Sequence, residues 1–199
     1  MKSLYGRFLT WLANTRLWRW IILKGLGYIE NPFMDHGLPG NKFIEGYKFL
    51  QPGDMIQTSE KGRAVSFLIK GDFDHAAFCV GKNSTWEISE MVGSGYHKST
   101  FYEICRNVDR VRIIRCVDWD RNYVKRMIDR CKSFEGSKYD TAFSFGIKDL
   151  YCSEMIYHSD MEKRLKVSLE DIAGLGRKYI SPDGLGKARN IKIIWDSKD

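Results

Sequence analysis

The stretch Asp149–Ser159, DLYCSEMIYHS, places one cysteine where a helix is expected to begin. Asp149 is a residue type that caps helices, and Cys152, Met155 and Ile156 then fall on one helical face. A thiol in the first turn lies at the positive end of the helix dipole, which favours the thiolate. The N–H groups of that turn have no intrahelical acceptor and can stabilise an oxyanion. The stretch therefore predicts a nucleophile, although a lone helical cysteine is more often a small buried side chain.

A cysteine nucleophile needs a base and a third group that orients the base. His75 lies on a predicted strand, DHAAFCVG, whose alternation puts the small residues Ala77 and Cys79 on the same side. Glu87 lies on the next predicted strand, STWEISEM, on the face expected alongside His75, whereas Glu90 falls on the opposite, apolar face. We therefore expect the thiol, the imidazole and the carboxylate of Glu87 to meet where the helix packs on the sheet.

The composition fits one globular domain with a real core, because the chain has 199 residues of which 43% are hydrophobic. Its five cysteines form no CxxC pair and have no zinc-ligand spacing, which argues against a disulfide framework or a metal site and favours a reducing compartment. The net charge of +7 is spread along the chain, which weakens a nucleic-acid reading and leaves an anionic partner open. The cysteines expected to be buried fillers are Cys79, Cys105, Cys116 and Cys131.

The rest of the pattern predicts an α+β fold, with a mainly antiparallel sheet packed against helices. Period-two alternation or short apolar runs indicate strands in DMIQT, DHAAFCVG, STWEISEM, RVRIIRCV and RNIKIIW. Apolar residues from Val124 to Cys131 repeat at helical spacing, and Gly136 follows as a stop. RAVSFLIKG is ambiguous between strand and helix, and GSGYHKS is expected to be a turn.

Residues 1–45 are predicted to be an N-terminal helical extension and loop, and residues 46–199 the main domain. In the extension, Asn14 and Thr15 can end one short helix and cap a second. Its arginines interrupt the apolar sequence too often for a spanning helix and lie at scattered angles, which favours a packed extension over a membrane-surface helix. Its clustered tryptophans nevertheless leave membrane-surface contact through residues 4–24 open.

Five motifs occur in an order that identifies a family: LQPGDMIQTS, DHAAFCVG, WEISE, KYDTAFSF and LYCSEMIYHS. Together they resemble the circularly permuted NlpC-like papain-fold amidases, the YiiX and YaeF group, which are related to lecithin:retinol acyltransferase. The resemblance runs from about Leu50 to about Leu185. In ordinary papain-like enzymes the cysteine helix precedes the histidine strand, whereas here the cysteine follows His75 by 77 residues. The resemblance thus implies a permuted papain-like fold, preceded by the N-terminal helical extension that the residue pattern predicts.

The same resemblance implies a cysteine hydrolase or acyltransferase that attacks an amide or ester bond and needs no metal or cofactor. Cys152 would carry the acyl group, His75 would act as base, and Glu87 would be the third polar residue. Tyr139, in KYD, and Ser153 are expected beside the cleft or near the oxyanion.

One position departs from the family, whose members often have Ser or Thr before the histidine, where this chain has Asp74. An adjacent carboxylate can raise the basicity of the imidazole or compete for its orientation, so Asp74 is a rival to Glu87.

Two functions from different classes remain open on the sequence alone. The first is the thiol enzyme, acting on a peptide, a peptidoglycan-like molecule or a lipid. The second is a non-catalytic papain-like scaffold that binds an anionic or membrane partner. The expected location is the cytoplasm, and peripheral contact with a membrane is left open.

Overall fold

The structure is a computed structural model that describes residues 11–12, 14–25, 37–60, 71–172 and 177–198. The ambiguous segment RAVSFLIKG lies almost wholly outside the described residues, as does the start of the N-terminal extension. Within the described ranges the strands are β1 (Met55–Ser59), β2 (His75–Lys82), β3 (Trp86–Val92), β4 (Gly95–Thr100), β5 (Arg110–Cys116), β6 (Lys138–Tyr139), β7 (Asp149–Leu150), β8 (Glu170–Ile172), β9 (Arg177–Tyr179) and β10 (Ile191–Asp196). The helices are α1 (Arg16–Trp20), which continues as a π-helical turn (Ile21–Gly25), α2 (Gly40–Phe49), α3 (Phe101–Cys105), α4 (Arg121–Lys132), α5 (Cys152–Ser159) and α6 (Pro182–Gly186).

The main sheet of the described chain is six-stranded and antiparallel, in the order β10-β5-β1-β2-β3-β4. This confirms the α+β class with a mainly antiparallel sheet. The predicted strands in DMIQT, DHAAFCVG, STWEISEM, RVRIIRCV and RNIKIIW all form. The segment GSGYHKS, expected to be a turn, is instead mostly β4: only its first residues turn, and the following residues pair with β3.

Two apolar cores lie against this sheet, because its central strands bury both faces. One core joins Met55 and Phe78 to Met127 of α4 and Met155 of α5. The other joins strand residues such as Ile56 to Phe101 of α3 and to aromatic residues of α2 and β10. The helix that carries the predicted nucleophile is therefore one of the layers that cover the sheet.

The turn before β1 is built from the LQPGD motif. Gly53 has φ +92, a conformation that favours glycine, and the side chain of Val124 packs against the space where a Cβ would stand. The next residue, Asp54, is fully buried and accepts hydrogen bonds from the N–H of Gln51 at 2.8 Å and from Arg115 at 2.6 Å. A buried carboxylate is retained only with such partners, so the motif fixes the entry to β1.

The predicted domain boundary between residues 45 and 46 falls inside α2. Phe43 of α2 stacks on Phe101 at 5.6 Å, and the ring of Trp195 packs directly over Gly46. The division into 1–45 and 46–199 stays a prediction, with α2 packed on the main sheet. Farther upstream, Thr15 caps α1 by accepting from the N–H of Trp18 at 3.1 Å, as its sequence position predicts.

No helix in the described part of the chain combines the length and the apolar character that crossing a bilayer requires.

The C-terminal strand is held to β5 by a carboxylate between two guanidinium groups. Asp196 accepts hydrogen bonds from Arg110 at 2.7 Å and from Arg112 at 2.7 Å, and its side chain is 4% exposed. Burial by itself raises the pKa of Asp196, but the two arginines outweigh burial and hold the pKa at about 2. The charged form is therefore the one that stabilises the fold.

We predict that Asp196→Asn lowers the free energy of unfolding at pH 7 by about 2 kcal/mol. Because the folded pKa lies below the unfolded value of about 3.9, the contribution is present above that pH and is lost as the pH falls toward 2. Urea unfolding of wild type and variant measures the difference, which should shrink by about half at pH 3. A difference of the same size at both pH values would contradict this.

Candidate active site

The cysteine helix α5 begins at Cys152, as its sequence predicts, but its N-cap is Tyr151 and not Asp149. Asp149 stays extended because β7 pairs in parallel with β6, where Lys138 is its partner. The carboxylate of Glu154 accepts the N–H of Tyr151 at 3.3 Å and so supports the start of the helix. Cys152 thus occupies the first helical position, where the N–H groups have no intrahelical acceptor.

The start of α5 is fixed to the segment before α6 by two hydrogen bonds to one residue. Ser153 Oγ donates to the carbonyl of Ile180 at 2.6 Å, and the N–H of Ile180 donates to the hydroxyl of Tyr151 at 3.0 Å. The Ser153 side chain is fully buried and its hydroxyl proton is engaged there. Ser153, expected as a cleft or oxyanion contributor, can serve an oxyanion through its backbone N–H.

The candidate base stands at the start of β2, where His75 Nε2 lies 2.7 Å from Glu90 Oε2. Glu90 is 7% exposed, and its other oxygen accepts a hydrogen bond from Ser99 Oγ. The β2–β3 register explains the contact, because Glu90 is opposite Ala77, two residues from His75, and is therefore its diagonal neighbour. A buried carboxylate orients the imidazole from the sheet side.

The prediction that Glu87 lies beside His75 is wrong. The carboxylate beside the imidazole is that of Glu90. Glu87 is exposed and pairs with Gly81, six residues along β2 from His75, which is about 20 Å at strand spacing. The alternation itself was read correctly, since Glu90 is on the apolar face with Ile88. The register pairs Glu90 with Ala77, so Glu90 and His75 are on the same face of the sheet. The alternation in each strand does not reveal the register between the two strands.

The thiol of Cys152 is close enough to the imidazole to help raise the pKa of His75. Since Nε2 faces Glu90, Nδ1 is the ring nitrogen left for the sulfur. Burial by itself lowers the pKa of His75, but Cys152 and Glu90 outweigh burial and raise its pKa well above the usual value. Burial likewise raises the pKa of Glu90, yet His75 and Ser99 bring the net pKa below its usual value. The cluster therefore favours an imidazolium beside the ionised carboxylate of Glu90.

Tyr139 and Asp74, both expected near the site, lie in different settings. Burial raises the pKa of the Tyr139 phenol, and an electrostatic interaction with Cys152 is the second cause. Asp74 accepts a hydrogen bond from the backbone N–H of Glu60 at 3.2 Å. The carboxylate in contact with His75 Nε2 is that of Glu90.

Two buried carboxylates that the sequence analysis did not single out hold the loop between β6 and β7. Asp140 accepts the N–H of Ala142 at 2.8 Å, and Glu154 accepts the N–H of Gly146 at 2.7 Å. Glu154, three residues after the N-cap, could have been found from the capping pattern around YCSE. The loop leads from Tyr139 back to Cys152, so these contacts shape one wall of the site.

The remaining cysteines behave as the sequence predicts: they are buried and free. Burial raises the pKa of Cys79 to about 12, of Cys116 to about 11 and of Cys131 to about 12. For Cys105 burial also raises the pKa. These thiols are poor nucleophiles near neutral pH and serve as internal references for Cys152.

Among the described residues, no group of three or more His, Cys, Asp or Glu side chains could hold a metal ion. His75 and Glu90 bond to each other rather than facing an open coordination position.

Comparison with known proteins places this arrangement in a family. The family described as "permuted papain-like amidase enzyme, YaeF/YiiX, C92 family" matches residues 49–196. A solved structure, of the metalloprotein YiiX from Escherichia coli O157:H7, superposes with a TM-score of 0.63 at 17% identity and covers 73% of this chain and 96% of that one. No curated protein matches the chain.

The chain belongs to the permuted papain-like amidase family, because the match spans most of its length. The family supports a cysteine-type hydrolase at this level, and the solved structure supports the fold. The permuted order, with histidine strand before cysteine helix, is thereby explained. The word metalloprotein describes YiiX, whereas the described residues of this chain do not fit a metal site.

We predict that Glu90→Gln lowers the pKa of His75 by about one unit, because an opposite charge next to the imidazolium is removed. The matched variant Glu87→Gln removes the same charge from the same strand and should leave the pKa of His75 unchanged. Histidine NMR titration of ¹³C-labelled protein measures both. Equal shifts in the two variants would contradict the assignment of Glu90 as the orienting group.

Proposed function

We propose that this family member is a cysteine hydrolase or acyltransferase that cleaves an amide or ester bond through an acyl-enzyme on Cys152. The observation that carries the proposal is the hydrogen bond between His75 and the buried Glu90, with Cys152 near the imidazole at the first turn of α5. The pKa of His75 is raised by both neighbours, which favours the imidazolium, and a cation beside a thiol at a helix N-terminus is the setting in which cysteine nucleophiles are activated.

The first half of the reaction forms the acyl-enzyme. The sulfur of Cys152 attacks the carbonyl carbon, and the carbonyl electrons move to oxygen, where the first-turn N–H groups of α5 can stabilise the charge. As the tetrahedral intermediate collapses, the bond to the leaving amine or alcohol breaks. The His75 imidazolium gives that group its proton, and Glu90 holds the ring in place during the transfer.

The second half regenerates the enzyme. Neutral His75 takes a proton from water, or from another acceptor hydroxyl or amine, which attacks the thioester carbonyl. The C–S bond breaks, the acyl product leaves, and the proton on His75 restores the ion pair. Hydrolysis and acyl transfer differ only in which acceptor reaches the thioester.

The test is the rate of iodoacetamide labelling at Cys152 against pH, read by peptide mass spectrometry. We expect labelling to persist below pH 7 and to fall by about tenfold or more in His75→Ala, because an ordinary thiol with a pKa near 8.5 is only about 1% thiolate at pH 6.5. Cys79 and Cys131 in the same digest provide the reference for buried thiols. Slow labelling of Cys152 in both proteins, with anionic phospholipid vesicles present as well as absent, would leave the non-catalytic scaffold as the better function.

A second measurement detects the acyl-enzyme itself. Intact mass spectrometry after brief exposure to p-nitrophenyl acetate should show one acetyl group on the wild type. Cys152→Ser, which keeps the size of the side chain but loses the thiolate, should remain unmodified. Acetylation of the variant to the same extent would place the reaction elsewhere.

A further inference from the structure

The N-terminal strap, residues 16–25, contacts the main domain at two points. Trp18 Nε1 donates a hydrogen bond to the carbonyl of Thr141 at 3.2 Å. Leu23 lies so close to Gly93 that a Cβ there would stand 2.9 Å from its Cδ2. The five residues from one contact to the other span about 7.5 Å in a helix.

Both contacts are made with segments that adjoin elements of the candidate active site. Thr141 follows Tyr139 by two residues in the loop that leads to Cys152, and Tyr139 interacts electrostatically with Cys152. Gly93 follows the end of β3, and the β2–β3 register carries that end toward His75. The strap therefore contacts the loop that precedes the cysteine helix and the segment that follows β3. Cys152 itself is only 2% exposed, so a substrate or reagent reaches its sulfur only when the residues that cover it move.

The side of the strap away from these contacts is apolar and exposed. Leu17 and Trp20 are each 60% exposed and, three residues apart, share one helical face. Trp11, just upstream, is 62% exposed. Arg16 and Lys24, also exposed, add positive charge to the same short segment. Large apolar side chains are thus presented together with cations, although the sequence had favoured a simply packed extension.

This combination fits a lipid surface better than it fits water. Tryptophan prefers the boundary between headgroups and acyl chains, and leucine adds apolar area that bulk solvent leaves unsatisfied. Arginine and lysine are attracted to anionic headgroups, and the net charge of +7 gives the whole chain the same preference. Apolar and electrostatic attraction together supply the two signals that stable peripheral binding needs.

We propose that the strap docks on an anionic phospholipid bilayer through Leu17 and Trp20, and that docking loosens its contacts with Thr141 and Gly93 and so exposes Cys152. The acyl substrate would then be an amide or ester held in the bilayer. That last part rests on the function proposed above, whereas the docking does not.

Vesicle co-sedimentation tests the docking. The full chain should bind vesicles of phosphatidylcholine with phosphatidylglycerol and bind pure phosphatidylcholine vesicles far less. Leu17→Ser with Trp20→Ser should weaken binding to the anionic vesicles by about tenfold or more. The matched pair Val117→Ser with Met161→Ser removes apolar residues exposed by 64% and 49% elsewhere and should bind like wild type. Equal loss in both pairs would overturn the assignment to the strap.

A charge-matched comparison separates the strap from net charge. Arg16→Gln with Lys24→Gln should weaken binding by about tenfold. The control Lys125→Gln with Lys192→Gln changes two exposed lysines elsewhere, so both double variants have the same net charge. The control should weaken vesicle binding much less. Absence of vesicle binding in wild type, with self-association that Trp20→Ser abolishes, would assign the surface to a second copy of the chain and overturn the proposal.

The coupling to the site is read from iodoacetamide labelling of Cys152 with and without anionic vesicles. We expect the vesicles to accelerate labelling several-fold in wild type and not in the Leu17→Ser, Trp20→Ser pair. Unchanged labelling on bound vesicles would overturn the coupling. Sedimentation of Cys152→Ser shows whether docking depends on the thiol. A wild-type chain that binds vesicles while Cys152 stays unreactive would contradict the enzyme function and leave the docking intact.

Discussion

The positive charge favoured on His75, at the start of β2, is the feature on which the rest of the site depends. A cation in this position is costly unless negative groups lie on both sides of it, because burial by itself drives the pKa of His75 down. Glu90 supplies a negative group from the neighbouring strand, and Cys152, in the first turn of α5, is the second neighbour that raises the pKa of His75. The carboxylate of Glu90 keeps its charge because His75 and Ser99 form hydrogen bonds with it. The charged forms of Glu90 and His75 therefore stabilise each other.

Cys152, His75 and Glu90 belong to elements that are distant in the sequence, so their relative positions depend on how those elements pack. The strand side is set by the β2–β3 register, which makes Glu90 the diagonal neighbour of His75. The helix side is set by Ser153 and Tyr151, whose bonds to the Ile180 segment hold the first turn of α5 in place. Both faces of the sheet are apolar and packed, and a rigid core of this kind lets a hydrogen-bonded site keep its geometry.

How far the sequence predicted this site depended on whether the signal was local. The strands, the cysteine at a helix N-terminus and the order of histidine before cysteine follow from periodicity, helix patterning and motif order, and all are present in the structure. The pairing of Glu90 with His75 is not local: alternation separated Glu87 from Glu90 correctly, but the relative register of two strands depends on the whole sheet. The N-cap was misplaced for a similar reason, since Asp149 is drawn into a parallel pair with Lys138 that its own neighbours do not reveal.

The strap shows the same limit from another side. Sequence alone described its arginines as too scattered for a surface helix, because an isolated helix needs one clean apolar face. Once Trp18 and Leu23 are engaged with the main domain, only the residues pointing away from it count, and those are Leu17 and Trp20 with cations nearby. Amphipathicity here is a property of the docked segment rather than of the helix. The exposed face of the strap can therefore be recognised only from the fold, because it is defined by the side chains that the main domain leaves uncovered.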